Sequence, residues 1–367
     1  MLLVDAHQDL AWNMLTYGRD YTRSVAETRR LEVGTIEIKY KEDTLLGYAD
    51  YRRGRVALIF ATLFAAPERR RMASWETMCY RDAQEAHRLY RRQLDVYHRL
   101  ADEHPAQFRL LQSRSQLDVL LAAWQQLDQH PEALQDLPVG LVLLMEGAEG
   151  VRQPDELELW WQSGVRLIGP AWAGTRYCGG THEPGPLTKD GFALLEAMAD
   201  LGFTLDLSHM DEAAALQALD IYPGSIVATH SNALPLLKGE DSNRHLSDRL
   251  IAGLLERGGV IGIVPFNSFL LPGWQQGDRR ESVTLGHVVA QIDYICQMAG
   301  DARHVGLGTD FDGGFGWQSV PAGIDTIADL QKLAPLLAAK GYPPQDIAAI
   351  LGENWLDHLR RTLPGDL

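Results

Sequence analysis

Eight short runs rich in aliphatic and β-branched residues recur along this chain, with amphipathic helical stretches between them. The runs are Leu2–Ala6, Val56–Phe64, Val139–Met145, Val165–Ala171, Phe203–Leu207, Ser225–Thr229, Val260–Phe266 and Val305–Gly308. Most lack the alternation of polar and apolar residues that marks a half-exposed strand. That is the pattern of strands covered on both faces in a parallel sheet. The clearest helix is predicted over Arg81–Glu103, where Ala83, Ala86, Tyr90, Leu94, Tyr97 and Ala101 recur at helical spacing. Others are predicted over Gln116–Leu127, Gly191–Leu201, Asp211–Leu219, Ser247–Arg257, Thr284–Met298, Ile327–Ala339 and Pro344–Arg361. Eight strands alternating with helices predict an α/β fold, a (β/α)₈ TIM-type barrel with an elaborated helical segment between strands two and three. No repeat or Pro/Gly-rich linker divides the chain, so one domain over residues 1–367 is expected.

Composition narrows the function. A net charge of −15, from 34 basic and 49 acidic side chains, disfavours nucleic acid or an anionic membrane as the main partner. The three cysteines, Cys79, Cys178 and Cys296, form no CxxC pair, which suits a reducing cytoplasm rather than a disulfide framework. Met1 opens directly into the first strand with no secretory leader, and no apolar run reaches membrane-spanning length. A cytoplasmic protein with no membrane partner is therefore expected. No GxGxxG or Walker-type loop is present, which disfavours a nicotinamide or phosphate enzyme.

The barrel turns scattered polar residues into a set. Strand one runs into His7 and Asp9, strand three into Glu146, strand five into His209, strand six into His230 and strand eight into Asp310. In a closed parallel barrel these carboxyl ends meet at one rim, where barrel enzymes keep their active sites. Three imidazoles and three carboxylates there are a ligand supply for two divalent metals. Glu146 follows an apolar run, where a carboxylate without a partner would be costly to bury. His87, His98, His287 and His358 fall within helical stretches and read as surface or packing residues.

The chain resembles the membrane (renal) dipeptidase family of zinc peptidases, a branch of the amidohydrolase-like barrels. The matching pieces run from Asp5-Ala6-His7-Gln8-Asp9-Leu10 through Glu146-Gly147, Asp206-Leu207-Ser208-His209 and Thr229-His230-Ser231. Asn243-Arg244-His245-Leu246-Ser247-Asp248, Gly306–Gly313 and Gly352-Glu353-Asn354-Trp355 complete them. The resemblance implies two zinc ions per chain, one held by His7 and Asp9, the other by His209 and His230, with Glu146 bridging both. It implies that a water between the ions becomes the nucleophile, that Asp310 carries its proton to the leaving amine, and that Arg244 binds the substrate carboxylate. It also suggests a homodimer, and a dipeptide substrate that can carry a D-residue at its C-terminal position.

One position departs from the family. Trp172 stands where a histidine that contacts the scissile carbonyl is expected, and an indole N–H can donate a hydrogen bond but cannot become a cation. His182, in the loop Gly179–Glu183, is a candidate substitute, with Tyr177 and Arg176 as others. The stretch Pro265–Phe269 after strand seven also differs from the family pattern. Three readings result: a dinuclear zinc dipeptidase; a related amidohydrolase or lactonase with a non-dipeptide substrate; and a binding protein that keeps the barrel without its chemistry. The first accounts for the full ligand set.

Overall fold

The computed structural model describes residues 1–35, 38–129, 137–240 and 242–365. Eight parallel strands form the barrel: β1 (Leu3–Gln8), β2 (Val56–Phe64), β3 (Val139–Glu146), β4 (Val165–Gly169), β5 (Thr204–Asp206), β6 (Ile226–Val227), β7 (Ile261–Ile263) and β8 (Val305–Leu307). They pair in ring order, with β8 returning to β1 through Asp5 and Leu307. The last seam, β6 to β7, is closed by a parallel bridge between Ala228 and Ile261.

The strands carry no polar–apolar alternation because both faces meet apolar layers. Along β2, Leu58 and Phe60 join one buried cluster with Val4, Val142, Leu144 and Val227. Ile59, Ala61 and Leu63 join a second, with Leu3, Leu143, Met145 and the surrounding helices. The period of two is therefore present in packing although absent in polarity.

The predicted strand ends after β4 and β7 extend too far. Pro170 and Pro265 lack a backbone N–H, so the ladders stop at Gly169 and Ile263. β6 is shorter than its apolar run because the backbone turns at Thr229. There its carbonyl fills space that only glycine leaves. A Cβ on Gly262 or Gly308 would lie 1.9 or 1.7 Å from that oxygen.

The elaboration between β2 and β3 holds helices Ala83–Glu103 and Arg114–Gln129. Asp82 caps the first by accepting from Glu85 N at 2.9 Å. Between them lies a strand too short to read from sequence, Phe108–Leu110, paired with the start of β3. The stretch Gly179–Glu183, expected as a loop, spans the two-residue turn Thr181-His182 of an antiparallel hairpin, Cys178–Gly180 with Glu183–Leu187. The helix predicted over Pro344–Arg361 is divided into Pro344–Ala348, a π-turn Ala349–Glu353, and Asn354–Thr362. No helix among the described residues is long and apolar enough to cross a membrane.

The last helix packs against the barrel through Trp355, whose Nε1 donates to Leu307 O at 3.0 Å and whose ring meets Phe60 edge-on. His358, on the same helix, is buried with its Nε2 3.3 Å from Thr204 Oγ1. Burial, with the nearby charge of Arg361, pushes its pKa down to about 3. The unfolded state therefore takes up a proton near pH 6.5 that the folded state refuses until about pH 3, so stability falls as pH drops through that window. Urea unfolding at pH 7 and pH 5 should show His358→Gln losing about 2 kcal/mol less than the parent protein. Equal losses would place His358 in a wetter site than the one described.

Candidate metal centre

The ring brings the expected ligands to one rim. His7 is on β1 and Glu146 ends β3, while Asp9, His209, His230 and Asp310 lie within three residues of their strands' ends. Glu146 faces two histidine sets with separate oxygens. Oε2 lies 3.6 Å from His7 Nε2, and Oε1 lies 3.1 Å from His209 Nε2 and 3.2 Å from His230 Nε2. His7 Nε2 is also 3.8 Å from Asp9 Oδ1 and 3.9 Å from Asp310 Oδ1. The Nε2 atoms of His209 and His230 are 3.0 Å apart. Two ligands on one tetrahedral ion, each at 2.0–2.1 Å, are themselves about 3.3 Å apart. His209 and Asp310 reach this geometry through left-handed backbone, at φ 66° and 57°, which costs a non-glycine residue about 1–3 kcal/mol.

The electrostatics call for cations. Burial raises the Asp310 pKa well above the usual range, and Asp9 and Glu146 add to the rise. Burial and Glu146 likewise lift Asp9 to about 6. His7 is pushed down by burial, but Glu146, Asp9 and Asp310 prevail and raise it to about 10. Burial, with Arg244 adding, lowers His209 to about 4; burial, His7 and Arg244 also drive His230 well down. Both shifts favour the neutral ring, the state that ligates metal. Both ring nitrogens of His7 are buried with no hydrogen-bond partner among the described residues. The donor set of imidazole nitrogens and carboxylate oxygens fits divalent cations, which would take the place of the protons this cluster otherwise needs.

Hydroxyls and two further aspartates brace this cluster. Asp206 accepts from Thr229 N at 2.9 Å and Thr229 Oγ1 at 2.5 Å, tying β5 to the end of β6. With its proton committed to Asp206, Thr229 Oγ1 accepts from His230 Nδ1 at 3.0 Å. That sets the His230 tautomer and leaves its Nε2 lone pair facing Glu146. Thr181 Oγ1 lies 2.8 Å from His209 Nδ1, and Thr62 Oγ1 donates to Asp9. On the other side Asp5 accepts from Thr309 N at 2.6 Å and Thr309 Oγ1 at 2.5 Å, tying β1 to β8 beside His7 and Asp310. Sequence reasoning did not single out Asp5, Asp206 or the threonines as supports. The signal was there in Thr229-His230 and Thr309-Asp310, a hydroxyl directly before each ligand-type residue.

A cavity of about 480 Å³ opens over this cluster, lined by Asp9, Glu146, His209 and Asp310 together with Arg244, Trp172 and His182. Arg244 is buried. Its Nη2 donates to His230 O at 2.7 Å and its Nη1 to Ser231 Oγ at 3.2 Å, while Nε has no hydrogen-bond partner among the described residues. Its guanidinium lies 5.2 Å over the Phe269 ring, and burial lowers its pKa. The Trp172 ring is 6.1 Å from that of His209. His182 is exposed at the hairpin turn, with φ 60° and its N–H on Asn243 Oδ1 at 2.9 Å. Tyr177 and Arg176 do not line this cavity; both donate to Val151 O.

Comparison with known proteins gives the family. A family model described as membrane dipeptidase, peptidase family M19, matches residues 1–362. The chain belongs to the membrane dipeptidase family of metallopeptidases. Among its relatives is an uncharacterised Klebsiella pneumoniae protein from the pqqA 5′ region, 33 % identical over 237 residues, 62 % of this chain and 83 % of that one. Dipeptidase ataJ of Aspergillus terreus is 28 % identical over 292 residues, 72 % of this chain and 64 % of the relative. The match spans about half of an Acinetobacter calcoaceticus relative, 54 % of its length. A crystal structure of a Rhodobacter sphaeroides metallo peptidase, holding a phosphinate mimic of L-Ala-D-Ala, shares the fold with a TM-score of 0.76. It is 23 % identical, with 99 % of each chain covered. The probable dipeptidase PvdM of Pseudomonas aeruginosa shares it at 0.74, with 20 % identity and 99 % and 96 % covered.

In this dipeptidase-family chain the Asp206–Thr229–His230 relay generates a prediction. Thr229→Val keeps the shape and removes the hydroxyl that orients the imidazole. Divalent metal affinity, measured by competition with a chromogenic chelator, should weaken about 10–100-fold, and Thr229→Ser should restore most of it. Unchanged affinity in Thr229→Val would mean the hydroxyl does not orient the ring.

Proposed function

We propose that the chain is a dinuclear zinc dipeptidase, acting as one catalytic domain. The observation that carries this reading is the Glu146 carboxylate, whose two oxygens face separate groups, His7 on one side and His209 with His230 on the other. Nitrogen and oxygen donors without cysteine suit zinc. His7, Asp9 and Glu146 would hold one ion; Glu146, His209 and His230 the other. Such ions polarise a scissile carbonyl and make water a nucleophile at neutral pH.

The protein groups supply the rest. Asp310, which lines the cavity with its Oδ1 3.9 Å from His7 Nε2, is the carboxylate placed to accept a proton from the attacking water and return it to the leaving amine. Arg244 presents a buried cation to the cavity, and a terminal carboxylate is the ligand that matches a guanidinium fork. The three cysteines are free thiols, which supports residence in a reducing compartment such as the cytoplasm. A second reading, hydrolysis of N-acyl amino acids or lactones, rests on Trp172, which offers the cavity a bulky indole and no titratable group.

Purified protein should bind about two zinc per chain and release amino acids from a panel of L,L and L,D dipeptides. Chelation should abolish turnover, and added zinc should restore it. Glu146→Ala should lose both metal and activity. Asp310→Asn should keep zinc while kcat falls about 10²–10⁴-fold. Arg244→Lys should lower kcat/KM at least about tenfold, mainly through KM. Two bound zinc ions with turnover of N-acyl amino acids or lactones alone would select the second reading; no zinc after careful loading would reject both.

A further inference from the structure

The cavity over this cluster takes its lining from both halves of the barrel. Arg244 is held at the end of β6, with Phe266, Phe269 and Phe315 from the loops after β7 and β8 beside it. Another part comes from the first half of the barrel: Trp12 follows β1, Phe64 ends β2 and Trp172 follows β4. Trp172 and Phe64 rings are 5.1 Å apart at 59°, and Phe64 and Trp12 rings 6.3 Å apart at 55°. These side chains pack into an apolar cluster of their own, with Ala66 and Met78, and their cavity faces form a continuous wall.

Resting on the dipeptidase reading, we propose that this wall binds the side chain of the substrate's N-terminal residue and that preferred substrates carry an aromatic or large aliphatic group there. A substrate with its carboxylate on Arg244 and its scissile carbonyl over Glu146 must extend its N-terminal half toward β1, β2 and β4. The charged side chains of Arg70 and Glu76 line the cavity as well, and each has a partner within the protein. Arg70 Nε is bound to Glu183 Oε1 at 2.8 Å and its Nη2 to His182 O at 3.1 Å, and Glu76 accepts from Met72 N at 2.8 Å. The wall itself is indole and phenyl surface, which gains from ring stacking and edge contacts. Trp172 is thus a specificity-determining residue. Its ring occupies the wall beside His209 and selects for side-chain area rather than charge.

The test is a panel of zinc-loaded turnover measurements on Phe-Ala, Leu-Ala, Ala-Ala and Asp-Ala. The kcat/KM for Phe-Ala should exceed that for Ala-Ala at least about tenfold, with Asp-Ala poorest. Trp172→Ala should reduce the Phe-Ala to Ala-Ala ratio about tenfold, and Trp172→Phe should retain most of it. A wild-type ratio near one, or a preference for Ala-Ala or Asp-Ala, overturns the inference while leaving the dipeptidase reading intact. So does a ratio unmoved in zinc-replete Trp172→Ala. Failure to cleave any dipeptide overturns the dipeptidase reading and this inference with it. The wild-type panel decides the matter even where a variant does not fold.

Discussion

Three carboxylates and three imidazoles held within a few ångströms of one another, mostly out of water, form the constraint around which this barrel is organised. Like charges at such separations cannot all ionise unaided. Here the opposing shifts of Glu146, driven well down by the surrounding histidines, and of Asp310, driven well up by burial and its acidic neighbours, show how far the cluster departs from ordinary carboxyl behaviour. The arrangement is tolerable only if positive charge sits among these groups and if the backbone keeps them from relaxing apart. Closure of the strand ring meets the second condition, because these six side chains come from five strands that cannot move independently.

The bracing is local and works in pairs. Asp5 with Thr309 ties β1 to β8, and Asp206 with Thr229 ties β5 to β6. Each brace lies directly below a pair of ligand-type residues, His7 and Asp310 in one case and His209 and His230 in the other. A buried carboxylate that accepts from both an N–H and a hydroxyl is satisfied without a countercharge. These two aspartates therefore add rigidity without competing for cations. The left-handed backbone at His209 and Asp310 is sustained by this over-determination.

Much of this was legible in the sequence, and the parts that were not share a cause. All eight barrel strands were visible because runs such as Val139–Met145 are covered on both faces, and burial writes itself into composition. The six rim residues stood out because each follows an apolar run with a metal-competent side chain, and the fold brings them together. The short strand Phe108–Leu110 and the hairpin at Cys178–Leu187 were not, because three-residue pairing and a glycine-rich strand leave no periodic trace. The early end of β6 was hidden for a different reason. It depends on the Thr229 carbonyl entering space left by Gly262 and Gly308, a contact between strands far apart in sequence.

Trp172 shows where pattern and structure part company. Read along the sequence, it is a missing histidine, and its meaning is a loss. In the folded chain the indole lies against Phe64 and borders the cavity beside His209, so the same substitution also adds apolar area. The two effects act on different terms. Removing a donor near the scissile carbonyl weakens stabilisation of developing charge for every substrate alike. Adding an aromatic surface strengthens binding only for substrates with a side chain to place on it. On the proposed dipeptidase reading, such an exchange would keep the metal-dependent chemistry and narrow the range of molecules on which it is efficient.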